Sequence, residues 1–208
     1  MNFIDFKRQF EPFNVFSIQD VLKWDFAFDS RRLVEWQDKN YIKKIINRWY
    51  VFADSKELKS HYLIANRIYS PSYISFESAL AYYRLIPEGV YTITSATSLK
   101  TNVFTTSMGK FSYRHIKKEF MFGYKLIAVG SQQFKIAEPE KVLLDYLYLN
   151  ARLRKAEDFK ALRINSVELN SLINQAKLME YLKLFKSAAL EKRFHSFIKT
   201  VLHHAERK

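Results

Sequence analysis

No cysteine occurs among the 208 residues, which excludes disulfide cross-links, thiolate zinc sites, iron–sulfur clusters and cysteine nucleophiles. Glycine is nearly as scarce. Gly89, Gly109, Gly123 and Gly130 are the only four, and the closest two stand seven positions apart. Neither a P-loop nor a G-x-G-x-x-G turn is therefore present, nor a G-x-S-x-G nucleophile elbow. No apolar run reaches the roughly 18 residues that argue for a membrane-spanning helix. The first residues, Met1-Asn2-Phe3-Ile4-Asp5, meet charge at once and lack the apolar stretch of a signal peptide. The expectation is a cytoplasmic protein with no membrane contact and no cofactor.

What is present is an ordinary globular balance. Hydrophobic residues make up 48% and charged residues 26%, so a folded core is expected rather than disorder. The length suits one or two domains. The 34 Lys and Arg exceed the 21 Asp and Glu and leave a net charge of +13. Such an excess points to a polyanionic partner, nucleic acid first. No strongly basic amphipathic helix argues for a membrane surface.

The spacing over residues 1–54 predicts a compact unit. Phe3, Phe6, Phe10 and Phe13 recur at helical intervals, and Glu11-Pro12 ends that helix. Ser17 and Asp20 form a capping pair for a second helix, with Phe16 stapling onto Val21. Asp29-Ser30 offers the N-cap of a third helix reaching about Lys39, with Leu33 and Trp36 inward and Asn40 as its stop. Tyr41–Ile46 and Trp49–Ala53 then read as a hairpin turning at Asn47-Arg48. Helix, helix–turn–helix, hairpin is the order of a winged helix-turn-helix.

That reading carries a chemistry. The N-terminal end of the third helix would enter a DNA major groove. Ser30, Arg31 and Arg32 stand there, and an arginine fork matches guanine O6 and N7. Ser17, Lys23, Gln37 and Lys39 are expected at phosphates or base edges. Lys43, Lys44 and Arg48 furnish the wing.

Residues 55–208 read as a larger α/β-mixed domain, making the whole chain α+β. A helix is expected from Lys56 to Ile68, and one from a Ser75 cap to about Arg84 that buries Ala79, Leu80 and Tyr83. A β-rich middle, read as antiparallel, follows at Val90–Ala96, Asn102–Thr106, Lys110–Ile116, Lys125–Val129 and Gln133–Ile136. Glu138-Pro139-Glu140 opens a nearly all-buried helix, with acids at its positive end. The rest is helical, ending with a helix from Ala188 to about His204.

Catalysis and metal binding find little footing. Glu138 and Glu140 are explained as helix-start acids. Asp145 is expected to be a hydrogen-bonded structural group on a buried helix. The five histidines are scattered, and His203-His204 would point about 100° apart on a helix. No enzyme activity is expected. The charge is also unevenly placed. Residues 1–54 hold nine basic and eight acidic residues, so nearly the whole excess lies beyond them. Lys110, Arg114, Lys117, Lys118 and Lys125, with the single acid Glu119 among them, form a candidate contact for a polyanion or a protein partner. The stretch 183–208 adds seven basic residues.

Four blocks carry a family resemblance: Ala65 to Leu80 (ANRIYSPSYISFESAL), Ile86-Pro87-Glu88 with Val90 to Ser95, Phe111 to Ile116, and Ile136 to Asp145 (IAEPEKVLLD). Behind a winged helix, in this order, they resemble the AbiEi antitoxins of AbiE-type (type IV) bacterial toxin–antitoxin systems, over about residues 10–150. The resemblance implies a repressor that binds promoter inverted repeats in double-stranded DNA. It also implies a C-terminal domain that counteracts a cognate nucleotidyltransferase toxin, protecting against phage by abortive infection. Carried over, Ser30, Arg31, Arg32 and Gln37 are the recognition positions and Lys43 to Arg48 the wing. One departure is Trp49, where many members have glycine. Two alternatives stay open: a winged-helix regulator whose C-terminal domain senses a ligand, and a nucleic-acid-processing enzyme.

Overall fold

The computed structural model describes residues 1–54 and 58–201, apart from the side chains of residues 58–60. The expected boundary at Ser55, the helix start at Lys56 and the histidines at 203 and 204 lie outside the described residues. Within them the chain is mixed α+β, with ten α-helices and two sheets.

The N-terminal unit runs α1 (Phe3–Phe10), β1 (Val15–Ser17), α2 (Ile18–Trp24), α3 (Arg31–Asp38), β2 (Ile42–Ile46) and β3 (Trp49–Phe52). Past α1 the chain tightens into one 3-10 turn over Glu11–Phe13, where Pro12 cannot supply the next helical N–H. The capping pair forms as expected. The Ser17 Oγ accepts the Asp20 N–H at 3.1 Å, and the Asp20 carboxylate accepts the Ser17 N–H at 2.8 Å. Asn40 takes the left-handed conformation at φ 54° and releases the chain from α3, and Arg48 takes it at φ 68° in the hairpin turn. Of the pair Asp29-Ser30 expected to cap α3, Asp29 does so, accepting the Arg31 N–H at 3.0 Å, while Ser30 has helical torsions and no capping bond.

β3 lies between β1 and β2, antiparallel to both. Alternation along these strands gives the small sheet two buried faces. Phe16, Ile42 and Phe52 join Phe6, Phe10, Phe28, Leu33 and Trp36 in an aromatic core. The Phe6 ring centre lies 4.5 Å from that of Trp36 and 5.3 Å from that of Phe16. Val15, Ile45 and Val51 point the other way, into the core of the larger unit. Each such buried side chain contributes about 1.5–3 kcal/mol, so the two units are joined by core packing.

The larger unit contains α4 (Leu58–Ile68), β4 (Ser72–Ile74), α5 (Phe76–Tyr82), β5 (Thr92–Thr97), β6 (Asn102–Thr106), β7 (Gly109–His115), β8 (Tyr124–Val129) and β9 (Gln132–Ala137). It continues with α6 (Pro139–Leu149), α7 (Ala156–Ala161), α8 (Ser166–Leu172), α9 (Gln175–Leu184) and α10 (Ala188–Val201). Its sheet has the order β6-β7-β5-β4-β9-β8. The expectation of an antiparallel middle requires correction, because β5 pairs β7 in parallel and β4 pairs β9 in parallel. β6 takes the edge, and β7 returns between it and β5. A hairpin-like sequence pattern does not distinguish that return from a simple meander.

β4 is short because α5 takes over beside β5. The Ser75 N–H reaches the Thr94 carbonyl at 3.1 Å. Beyond it, Ser78 Oγ and Thr94 Oγ1 accept each other's backbone N–H at 2.8 and 3.0 Å. These hydroxyls take the place of the ladder bonds a longer strand would have made. Ser75, expected to cap α5, donates its hydroxyl to Asp145 instead, at 2.9 Å.

Candidate nucleic-acid interface

The expected DNA-facing residues divide by what already holds them. Arg31 sits at the exposed N-terminus of α3, yet its guanidinium lies 2.8 Å from Asp29. That bond holds the Asp29 carboxyl below its ordinary pKa and raises that of Arg31. Arg32 donates to the Met1 carbonyl, Gln37 to the Leu33 carbonyl of its own helix at 2.7 Å, and Lys39 to Glu35 at 2.6 Å. Ser17 departs from expectation. It is buried, and its hydroxyl bonds Asp20, so it offers nothing to a phosphate. Lys23, Ser30, Lys44 and Arg48 are exposed and Lys43 half-buried, and none of the four cations has an ion-pair partner among the described residues. The hairpin also touches the larger unit, where the Ser107 hydroxyl donates to the Lys44 carbonyl at 3.3 Å.

The second cation group does not assemble into one patch. Lys110 and Arg114 line one cleft, with Arg114 bound to both oxygens of Glu77 at 2.9 Å. Lys125 is on β8, with three strands between it and β7, and lies over the Tyr83 ring at 5.2 Å. Lys117 pairs with Glu119 at 3.9 Å, and Lys118 is exposed in the same turn.

The fold gathers a different set. Arg154, Lys160, Lys192, Arg193 and Lys199 line furrows between α7 and α10, and no acid joins them in the lining. Burial, and then the neighbouring Arg154, pull the Arg193 guanidinium below its ordinary pKa. Arg193 donates to the Leu147 carbonyl at 2.8 Å and the Ala151 carbonyl at 3.3 Å, while Asp158 accepts the Arg154 backbone N–H at 2.9 Å. In the sequence the furrow cations form two groups some 40 positions apart, and only Lys192, Arg193 and Lys199 fall in the basic tail stretch 183–208.

The cleft holding Lys110 encloses about 630 Å³ over β5, β6 and β7, walled by α5, α6, the 86–91 loop and the end of α7. Among the described residues, no group of three or more His, Asp or Glu is placed to hold a metal ion, and no helix is long and apolar enough to cross a membrane.

Asp145 is hydrogen-bonded, as expected, but its chief partner was missed. Lys141, one turn earlier on α6, is fully buried with it, and the two form an ion pair. The Asp145 carboxylate also accepts from Tyr73 at 2.8 Å and from Ser75 at 2.9 Å. Phe122, Phe185 and Tyr73 surround the ammonium with ring centres 4.9–5.4 Å away. Burial draws the Lys141 pKa down, against the pull of Asp145. The i,i+4 spacing was the available sequence signal. Sealed from solvent, this cluster binds β4 to α6 and reaches no substrate.

Glu138 and Glu140 likewise do more than favour a helix start. Glu138 accepts from Lys177 at 2.7 Å and from Tyr181 at 2.6 Å, and Glu140 accepts the Asn174 N–H at 2.8 Å. Both carboxylates dock α9 onto α6. Compared with protein-family models and with curated proteins, the chain matches none.

Proposed function

We propose that the protein is a DNA-binding antitoxin that represses its own operon and counteracts a cognate nucleotidyltransferase toxin, in the cytoplasm and without catalysis of its own. The observation that carries the reading is the order α1-β1-α2-α3-β2-β3 around one three-stranded antiparallel sheet. Read as a winged helix, α2 and α3 are its helix–turn–helix and β2–β3 its wing. Arg31 at the start of α3 and Arg48 at the hairpin turn are both exposed cations. They suit base-edge and backbone contact respectively.

The nearly neutral N-terminal unit then owes its affinity to a few cations, supplemented by phosphate contacts in the larger unit. The furrow cations between α7 and α10 suit that supplement better than the dispersed group Lys110 to Lys125. A gel shift with the upstream promoter tests the reading. Arg31→Ala with Arg32→Ala is expected to abolish the shift while co-expressed toxin stays neutralised. An unchanged shift refutes the assignment of α3.

A second reading, a winged-helix regulator that senses a ligand, draws on the cleft over β5–β7. Gene neighbourhood separates the two, since a toxin gene beside this one favours the antitoxin.

A further inference from the structure

The cleft over β5, β6 and β7 takes no part in the proposed DNA contacts. At about 630 Å³ it has the size of a small-molecule site. Apolar side chains such as Leu80 and Leu162 form much of its wall, which favours an apolar body. Three of its polar groups stand in a row. Lys110, Ser112 and Arg114 alternate along β7 and all line the cleft.

The charges in that row are unequally satisfied. Arg114 gives one nitrogen, Nη2, to both oxygens of Glu77, which offsets its charge. Its Nε and Nη1 have no hydrogen-bond partner among the described residues. Glu88, the other acid on the lining, is held by Arg163 at 3.2 Å. Lys110 is exposed and has no carboxylate within ion-pair distance among the described residues. Lys110 is left as an uncompensated charge on a largely apolar lining, two residues along β7 from Ser112 and four from Arg114.

We infer that this cleft binds a small organic monoanion with an apolar body. The anionic group sits between Lys110 and Arg114, with the Ser112 hydroxyl donating to it, and the body lies against Leu80 and Leu162. Charge-assisted bonds fix the anion, and burial of the body supplies the rest of the affinity. The inference does not depend on DNA binding.

The test uses the full chain and 8-anilinonaphthalene-1-sulfonate, which carries one sulfonate on an aromatic body. Fluorescence titration is expected to show one saturable site. Lys110→Ala is expected to weaken binding about tenfold or more, the worth of one charge-assisted bond. Ser112→Trp fills the chamber and is expected to abolish binding, while thermal melts confirm that both variants stay folded. Displacement by 2-naphthoate is expected to exceed that by neutral 2-naphthamide at least about tenfold by the same bond. No saturable binding, undiminished binding in either variant, or equal displacement by the amide overturns the proposal.

Discussion

Asp29 holds Arg31 twice. Its Oδ2 lies 2.8 Å from the guanidinium, and its Oδ1 accepts the Arg31 backbone N–H at 3.0 Å. One carboxylate thus caps α3 and pairs with the cation proposed to contact DNA. The Arg31 side chain is 90% exposed, so an incoming phosphate or guanine edge would have to displace Asp29 from it. Asp29→Asn keeps the cap acceptor and releases the arginine. Affinity for duplex DNA, followed by fluorescence anisotropy, is expected to rise several-fold, with a steeper dependence on salt. Equal or weaker binding argues that α3 does not face the DNA.

Val15, Ile45 and Val51 carry the small sheet into the larger core, so the two units are expected to melt together. Trp24, Trp36 and Trp49, the only tryptophans, all lie in the first 54 residues. Tryptophan fluorescence therefore reports the N-terminal unit and, through Trp49 packed against the larger core, its seam with that core, while far-ultraviolet circular dichroism reports the whole chain. Their urea midpoints are expected to coincide. Two separate transitions would show that the shared core does not couple the units. For the same reason, deleting residues 1–54 uncovers apolar surface and is a poor way to assign DNA contacts.

The Lys141–Asp145 pair predicts strong non-additivity. Lys141→Met leaves a buried carboxylate without its cation and is expected to cost about 3–5 kcal/mol of stability. Asp145→Asn is also destabilising, since it strands the ammonium. The double substitution leaves a neutral site in which Asn still accepts from Tyr73 and Ser75. Denaturation midpoints are expected to place the double variant above the sum of the singles by roughly 1 kcal/mol or more. Strict additivity would mean that the two side chains do not interact.

Glu138 ties the tail helices to pH. Burial alone would raise its pKa, but the bonds from Lys177 and Tyr181 outweigh that and leave it below the ordinary value. A carboxylate depressed by folding stabilises fully above its unfolded pKa, near 4. That contribution drains away as pH falls below this range through the folded value. Stability is accordingly expected to drop between about pH 5 and pH 3, and Glu138→Gln to shrink that drop. A pH profile identical in variant and parent would remove Glu138 from the account.

What the sequence disclosed was what local rules govern. The Ser17–Asp20 cap, the left-handed Asn40 and the proline-led start of α6 are short-range devices, and each is found in place. β1 and β4 escaped notice because three-residue strands buried throughout leave no alternation to read. The parallel pairings escaped because they join strands that are not consecutive, β5 with β7 past β6 and β4 with the distant β9. Lys141 was not singled out, although its i,i+4 partner Asp145 was already conspicuous. At the candidate interface, residue type and position along α3 were legible. The carboxylates and carbonyls that occupy Arg31, Arg32 and Gln37 became visible only in three dimensions.

The central claim is that the N-terminal unit reads DNA sequence. Affinities of the full chain for its own promoter and for a shuffled duplex, at one salt concentration near 0.15 M, test it most directly. The account predicts a preference for the promoter of at least about 10³, reduced when Arg31 becomes Ala and retained when Lys118 does. Equal affinity for both duplexes, or a preference indifferent to Arg31, would contradict it.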